Sequence, residues 1–217
     1  MARELVSAER VRRAAGAGDK AQLVVVRGRS VLTDEARDLA ARLGVRLVWR
    51  AAEELLAPSP SVPAAAAGGD GRAQVALASD HGGYACRRHL AQELERAGYQ
   101  VRDLGCPDPS ATDYPLWATR LARAVAAGEA SRGIMLDTVG VASAMVCNRV
   151  PGIRAAACES EAAVLSSRRH NDANVLTLGG RLGEEACLRL ALAWLQEPYE
   201  GGRHQKRVAM IHELDRR

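Results

Sequence analysis

Residues 133–157 read GIMLDTVGVASAMVCNRVPGIRAAA, and in this stretch an apolar run ends on a single acid, Asp137. A loop of small residues follows at 138–143, and then a helix-forming segment. In open parallel sheets, ligands bind outside the carboxyl end of a strand and beside the amino end of the next helix. A carboxylate there faces backbone N–H groups rather than bulk water, so Asp137 is a candidate base. The alternative is that Asp137 only caps the helix, as Asp does at about half of such turns.

The composition excludes several classes of protein. The chain has 217 residues, a net charge of +4 and 47% hydrophobic residues, but only 3% aromatic residues and no Phe. Its core must therefore pack Ala, Val and Leu closely, as helix-covered parallel sheets do. The basic residues are scattered with little aromatic interleaving, so no nucleic-acid partner is expected. No apolar run approaches the ~20 residues needed to span a bilayer, and the N-terminus lacks the apolar core of a secretory signal.

Motifs for cofactors and metals are also missing. There is no GxxxxGK[ST] motif and no GxGxxG fingerprint after the first strand of the main domain, so no nucleotide cofactor is expected. The histidines show no HxxxH or comparable spacing, so no metal site is expected. The five cysteines show no CxxC spacing, which favours buried, reduced thiols in a cytoplasmic protein.

A linker divides the chain. Residues 57–71 read APSPSVPAAAAGGDG, a composition typical of a flexible connection. We therefore predict a small N-terminal unit over 1–56, a linker over 57–73 and a main domain over 74–217. The small unit is predicted to contain a helix capped by Ser7, strands at 23–26 and 45–49, and a helix at 33–43. Such a unit is too small for a strong core of its own, so it is expected to dock or oligomerise.

Strands and helices alternate after the linker. Strands are predicted at 75–78, 100–104, 133–136, 154–157 and 175–178. Helices are predicted at 84–97, 114–127, from about 142, at 159–170, at 184–196 and at 205–217. Five strands separated by crossovers predict an α/β fold with a doubly wound parallel sheet, to which the N-terminal unit is a small α/β appendage.

Polar residues gather beside the ends of these strands. They are Asp80-His81, Asp113-Tyr114, Asp137, Arg169-His170-Asn171-Asp172, Arg181, and Arg203-His204 with Arg207. Each has a plain alternative, such as a cap for Asp80, a surface position for His81 and a solvated helix face for Arg203 and Arg207. Taken together, so many polar residues beside the strand ends favour a ligand-binding site over these separate structural roles. Arg203 and Arg207, one turn apart, can bind one phosphate with Arg181 as a third ligand, so a small phosphorylated polyol is the predicted substrate.

From Val75 onward the chain resembles the ribose-5-phosphate isomerase B family, which includes the galactose-6-phosphate isomerase subunits. The matching stretches are ASDHGGY (78–84), TDYP (112–115), NRVPGIRAA (148–156), SRRHNDANVLTLGGR (167–181) and YEGGRHQKRV (199–208). The resemblance implies a Rossmann-like α/β/α subunit and metal-free aldose–ketose isomerisation of a sugar phosphate. It also implies a homodimer, or a tetramer of paired dimers, with active sites between subunits.

The resemblance also implies roles for individual residues. Asp80 and His81 would contact the sugar, His170 would assist ring opening, and Asn171 would hold the enediolate side. Asp80 and His170 are expected to be catalytic residues together with Asp137. The phosphate would be surrounded by Arg181, Arg203, His204 and Arg207. Tyr114 and Gly140 complete the expected substrate-binding residues.

This chain departs from the family pattern at the base. Many members carry Cys-Gly-Thr-Gly, with the Cys as base, and others place a Glu six positions later. Here the aligned residues are Asp137-Thr138-Val139-Gly140, and the later position is Ser143. The leading hypothesis is an isomerase with Asp137 as base, partly buried behind Val139 and Val141. The alternatives are a sugar-phosphate-binding or scaffolding homologue with impaired turnover, or a subunit that needs a complete paralogue.

Residues 1–57 are similar to short N-terminal segments of ethanolamine-utilisation and related bacterial microcompartment proteins. The similarity is carried by SAERVRRA and VLTDEARDLAARLGVRLV. It implies shell or cargo partners bound through residues 1–56, and a location in the cytoplasm, either free or inside a microcompartment.

Overall fold

The computed structural model describes residues 4–15, 22–27, 30–51 and 74–215. Before position 52 the described elements are β1 (Glu4–Val6), α1 (Ala8–Ala15), β2 (Gln22–Arg27), β3 (Ser30–Leu32), α2 (Asp34–Arg42) and β4 (Arg46–Ala51). β1 pairs with β3 and β2 pairs with β4, both in parallel. The predicted strands and helices of this region are confirmed. β1 and β3, each of three residues, were not predicted.

The N-terminal elements share a small core. Thr33 begins α2, since its Oγ1 accepts the N–H of Ala36 at 3.1 Å. The buried residues of this core are Val6, Val11, Ala14, Leu23, Val25, Ala36, Ala40 and Val45. The predicted linker at 57–73 lies outside the described residues, so the division into domains stays a prediction.

Residues 74–215 alternate strands and helices as predicted. The elements are β5 (Gln74–Ser79), α3 (Tyr84–Arg96), β6 (Gln100–Asp103), α4 (Tyr114–Ala126), β7 (Arg132–Asp137), α5 (Val141–Cys147), β8 (Ala155–Ala157), α6 (Glu161–Asn171), β9 (Val175–Gly179), α7 (Glu184–Gln196) and α8 (Arg203–Leu214). Short 3₁₀ turns follow β5 at His81–Gly83 and β9 at Gly180–Leu182.

The strands of this region form one parallel sheet in the order β6-β5-β7-β9-β8. The doubly wound α/β fold is therefore confirmed. The chain moves to one side of β5 to form β6 and to the other side to form β7. The topological switch point lies between β5 and β7, and in open sheets the ligand crevice opens at this point.

The sheet is covered on both faces because its strands alternate. Val75 and Leu77 of β5 pack in a core cluster with residues of α3 and α7. Ala76 and Ala78 belong to a second cluster with residues of α4. Successive side chains of a strand point to opposite faces, so each central strand contributes to both clusters. Full burial of a side chain such as Leu77 contributes about 1.5–3 kcal/mol to folding.

The last helix begins earlier than predicted. The sequence predicted a helix from position 205, but α8 starts at Arg203, directly after Gly201 and Gly202. These glycines have φ of +64° and +54°, a conformation that ordinary residues rarely adopt, and they turn the chain into the helix. Arg203 and His204 therefore lie inside the helix rather than before it. The prediction of buried, free cysteines is confirmed for all five.

Candidate active site

Asp137 is the last residue of β7, and its side chain is buried, with 5% exposed. Its Oδ1 accepts the N–H of Val139 at 2.7 Å and that of Gly140, while Oδ2 accepts the N–H of Ser143 at 3.2 Å and the Ser143 hydroxyl. Gly140 has φ of +84°, and an added Cβ there would lie 3.0 Å from the backbone of Leu178. Asp137 therefore satisfies amides at the start of α5, although the N-cap position of this helix is Gly140 rather than Asp137.

The expected cause of this burial was wrong. Val139 and Val141, predicted to cover Asp137, are 47% and 48% exposed. Asp137 is buried instead because β7 lies between β5 and β9 and because the turn after β7 wraps its N–H groups around the carboxylate.

Asp80 occupies the equivalent position after β5 and is also buried. Its Oδ1 accepts the N–H groups of Gly82 at 2.8 Å and Gly83 at 3.2 Å, which caps the 3₁₀ turn. Its Oδ2 lies 3.8 Å from Nδ1 of His81. Burial raises the pKa of Asp80; His81 and the two N–H groups act in the opposite direction, while the charge of Asp137 adds to the rise.

A cavity of about 370 Å³ opens beside the two acids at the carboxyl edge of the sheet. It is lined by Asp80, Tyr114, Asp137, Thr138, Val139, Val141, Ala142 and Met145. The lining combines two carboxylates and a phenol with an apolar wall, and its dimensions suit a small polar ligand. This cavity lies at the switch point between β5 and β7, where the fold predicts a ligand.

The TDYP stretch holds His81 beside this cavity. The N–H of Thr112 donates to Nδ1 of His81 at 3.3 Å, and the Thr112 hydroxyl accepts Nε1–H of Trp117 at 3.1 Å. Since Nδ1 accepts a hydrogen bond, the neutral imidazole carries its proton on Nε2. The side chain of His81 is 43% exposed and can reach a ligand.

The glycines after β9 bring Arg181 to the same edge. An added Cβ on Gly180 would lie 2.2 Å from the carbonyl oxygen of Gly82, so only glycine permits the contact between the two 3₁₀ turns. The N–H of Arg181 donates to the carbonyl of Thr138 at 3.4 Å, and the Arg181 side chain is exposed.

A second set of predicted residues meets where α6 ends and α8 begins. His170 and His204 stack with ring centroids 4.3 Å apart. Glu200 Oε2 lies 3.9 Å from His170 Nε2 and 3.8 Å from His204 Nε2. The N–H of Glu200 donates to the carbonyl of Arg169 at 3.1 Å, which ties the loop before α8 to α6.

Arginines add positive charge to this second set. Nε of Arg203 donates to Nε2 of His204 at 3.2 Å, and Arg207 is exposed one turn further along α8. The pKa of His204 is lowered by burial and by the charges of His170 and Arg203, with a smaller contribution from Arg207, whereas Glu200 acts to raise it. These contacts favour a neutral imidazole beside two permanent cations.

The side chains of His170, Glu200 and His204 also present possible metal-ligand atoms within 4.8 Å of one another. The sequence predicted no metal site, because the histidines lack an HxxxH or comparable spacing. Arg203 already donates to His204 Nε2, and Arg203 and Arg207 would repel a cation. The cluster is therefore better suited to an anion than to a metal ion.

The predicted site residues thus form two groups within one subunit. The pocket group consists of Asp80, His81, Tyr114, Asp137, Gly140 and Arg181. The basic group consists of His170, Asn171, Arg203, His204 and Arg207. His170, Arg203 and His204 contact one another or Glu200, and these contacts join α6, α8 and the loop before α8.

Two residues are not placed as expected within the subunit. Arg181, predicted as a third phosphate ligand beside Arg203 and Arg207, contacts the loop after β7 and belongs to the pocket group. Asn171 ends α6, where its carbonyl accepts Nε–H of Arg154 at 3.1 Å, and it is not among the described residues that line the cavity.

Sequence reasoning missed two contacts of these groups. Ser143 was noted only as the position of a missing Glu, yet it supplies two of the donors to Asp137. Glu200 was passed over, although it lies four residues before His204 and bridges both imidazoles. The spacing of an acid four residues before a histidine at a helix start was the available signal.

Fold and side chains together define an α/β protein with its ligand site at the switch point of a parallel sheet. The sequence profile of the family described as Ribose/Galactose Isomerase matches residues 75–211. The chain therefore belongs to the ribose/galactose isomerase family, and by class it is a sugar-phosphate isomerase. None of the helices among the described residues has the length and apolar character required to cross a membrane.

Known relatives agree with this assignment. Ribose-5-phosphate isomerase B of Escherichia coli is 39% identical over 145 residues, covering 66% of this chain and 97% of the relative. The structure of ribose-5-phosphate isomerase B from Clostridium thermocellum superimposes with a TM-score of 0.65 at 40% identity, covering 66% of this chain and 97% of that one. The structure of the type B ribose 5-phosphate isomerase of Trypanosoma brucei superimposes with a TM-score of 0.63 at 35% identity, covering 66% of this chain and 99% of that one.

Proposed function

We propose that this protein interconverts the aldose and ketose forms of a sugar phosphate through an enediol, with Asp137 as the base. The substrate is ribose 5-phosphate or a related pentose or hexose phosphate. The observation that carries the proposal is the fixed, buried carboxylate of Asp137 on the wall of a cavity at the switch point. A carboxylate so placed can move a proton between adjacent carbons of an open-chain sugar.

The other residues of the two groups receive roles that match their chemistry. Asp80, His81 and Tyr114 contact the sugar in the cavity, and Gly140 supplies backbone close to it. His170 assists ring opening, and Asn171 supports the enediolate. Arg203, His204 and Arg207 hold the phosphate, because guanidinium groups bind phosphate oxygens in pairs.

We further propose that the active site forms between two subunits of a homodimer. The pocket group contains the two buried acids and one exposed arginine, Arg181, and no arginine is among the described residues that line its cavity. The basic group contains two arginines one turn apart, which a phosphate can bind together. A two-fold axis that brings the pocket group of one subunit to the basic group of its partner would complete two identical sites.

One observation favours a second candidate, a sugar-phosphate-binding homologue with impaired turnover. Both oxygens of Asp137 accept hydrogen bonds from the turn that follows β7, so both are engaged by the protein itself rather than by a substrate. Such a protein would bind the ligand without enolising it. A subunit that needs a complete paralogue would behave in the same way when purified alone.

Deuterium uptake from solvent separates these candidates. A panel of aldose and ketose phosphates is incubated with the protein in D₂O, and NMR follows deuterium at the sugar carbons. We expect uptake with at least one pentose or hexose phosphate, and a fall of about two orders of magnitude or more in Asp137→Asn. Glu95→Gln, an exposed carboxylate-to-amide change in α3, is the matched control. Unchanged uptake in Asp137→Asn would leave Asp137 as a cap only, and no uptake by the parent would favour the second candidate.

A further inference from the structure

Two buried carboxylates stand side by side at the switch point of the sheet. Ser79 of β5 pairs with Leu136 of β7, and the N–H of Asp80 donates to the Leu136 carbonyl at 3.2 Å. The next residues of the two strands, Asp80 and Asp137, are therefore neighbours across a strand spacing of about 4.8 Å. Both line the same cavity, so one small ligand can contact both acids.

The two carboxylates differ in which atoms remain available. Both oxygens of Asp137 accept hydrogen bonds from the turn that follows it. Within residues 74–215 and the other described segments, Asp80 accepts hydrogen bonds through Oδ1, from the two glycine N–H groups that follow it, and not through Oδ2. Its Oδ2 lies 3.8 Å from Nδ1 of His81, beyond hydrogen-bond distance, and that nitrogen already accepts the N–H of Thr112. Oδ2 of Asp80 is therefore available to hold a proton or to receive one.

We propose that Asp80 is a general acid–base residue that carries a proton between the two oxygen atoms of the open-chain sugar phosphate. The inference rests on the proposed function, in which Asp137 carries the proton between the two carbons. Adjacent acids in different environments are a recurrent way to divide the acid and base roles within one site.

The proton transfers balance over the whole reaction. Starting from the aldose, the Asp137 carboxylate removes the proton on C2 while the Asp80 carboxylic acid protonates O1, and a neutral enediol forms. The Asp80 carboxylate then removes the proton from the hydroxyl on C2, and Asp137 returns its proton to C1. The C2=O bond of the ketose forms as the C1=C2 double bond is lost. Both side chains end as they began, and no co-reactant is consumed.

The surroundings of Asp80 support a carboxyl group that keeps its proton to higher pH. Burial raises its pKa, and the adjacent negative charge of Asp137 acts in the same direction. His81 opposes this effect from the 3₁₀ turn. Tyr114 faces the same cavity from α4. The Cys106 thiol, after β6, stays neutral over the physiological range because burial raises its pKa to about 11.

Asp80→Asn tests the role directly. The amide oxygen still accepts the two glycine N–H groups that Oδ1 binds, while an NH₂ group replaces Oδ2 and can donate a hydrogen bond without transferring its proton. Deuterium uptake at carbon and net isomerisation are measured together in D₂O, with ribose 5-phosphate or the panel member that the parent isomerises. We expect isomerisation to fall about 100-fold or more. Uptake should fall less, so that the ratio of uptake to isomerisation rises about tenfold or more.

The ratio distinguishes proton transfer from a structural role. Equal losses of uptake and isomerisation, with an unchanged ratio, would make Asp80 only a cap and overturn the proposal. If Asp80→Asn does not fold, the same ratio is followed in the parent as a function of pH. It should rise as pH rises through the pKa of Asp80, because the ionised group has no proton to donate, and a ratio independent of pH overturns the proposal. Unchanged uptake in Asp137→Asn would instead reject the proposed function.

Discussion

The pocket group and the basic group are built in opposite ways. In the pocket group, Asp80 and Asp137 are 5% exposed and are held by backbone N–H groups of the turns that follow their own strands. The basic group lies on two helix ends and is held by side chains, with exposed arginines around the stacked pair of His170 and His204. Backbone donors position acids for chemistry, whereas mobile guanidinium groups suit the capture of a charged ligand.

Burial has the same effect on both groups, despite their opposite charges. It raises the pKa of Asp80 and lowers the pKa of His204, and so favours the neutral form in each case. The two groups also differ in charge. No arginine is among the described residues that line the cavity, whereas Arg203 and Arg207 lie near His204 in the basic group, with Glu200 as the carboxylate of the histidine cluster. The comparison therefore predicts that the two groups act as halves of one site.

The largest effect is expected when two inactive variants are mixed. This experiment tests whether the pocket group and the basic group belong to one site formed between subunits. Asp137→Asn removes the base from the pocket group, and the double change Arg203→Ala with Arg207→Ala disables the basic group. If sites form between subunits, a mixed dimer has one intact site and one doubly damaged site. Random mixing of the variants should then restore roughly a quarter of the parental activity.

Unfolding and refolding the two variants together, followed by assay of isomerisation, measures this recovery. Each variant carried through the same procedure alone is the control. Activity that stays at the level of the separate variants would mean that both groups serve a site within one subunit, or that the second group is not part of the site.

Single arginine changes are expected to have a smaller effect, and they test whether the basic group binds the phosphate. Arg203→Ala and Arg207→Ala should each weaken substrate binding by about 1.5–3 kcal/mol, because each removes a charge-assisted contact to phosphate. This corresponds to roughly tenfold to 150-fold in the dissociation constant. Calorimetry with ribose 5-phosphate measures it, and Arg189→Ala, an exposed change on α7, is the matched control. Binding as tight as that of the parent would place the phosphate elsewhere.

Much of the fold was predictable from local patterns. The alternation of short apolar runs with helical segments gave the strands and helices of residues 74–215, and the helix-stopping Gly98 and Gly128, both with positive φ, marked two helix ends. The start of α8 was misplaced because two consecutive glycines suggested a longer loop. The order of strands in the sheet depends on long-range packing, which no local pattern contains.

The site was predictable in its residues but not in its geometry. Acids after β5 and β7 indicated the ligand edge, because parallel strands end at the same edge. That both oxygens of Asp137 are engaged depends on Ser143, six residues away, returning to the strand end through the turn at Gly140. The separation of Arg181 from the other arginines likewise depends on the tertiary contact between the two 3₁₀ turns. Contacts of this kind follow from the assembled fold.

The smallest expected effect is a shift in the titration of His204, which tests whether the basic group favours a neutral imidazole. Burial and the neighbouring charges of His170 and Arg203 lower the pKa of His204. The folded protein therefore binds fewer protons than the unfolded chain below the ordinary histidine pKa of about 6.5. The contribution of His204 to stability is complete above that pH and is lost as pH falls through the lowered pKa.

Arg203→Gln removes one of the positive charges beside His204 and should raise its pKa toward the ordinary value. NMR titration of the imidazole C–H signals measures the change, and thermal unfolding between pH 5 and 7 should show a shallower loss of stability in the variant than in the parent. Arg189→Gln, which lies on α7, is the control and should leave the His204 titration unchanged. A His204 titration in Arg203→Gln that matches the parent would mean that burial alone sets the pKa. Arg203 would then contact the imidazole without changing the pKa of His204. The protonation of His204 would in that case be independent of the arginines that bind the phosphate.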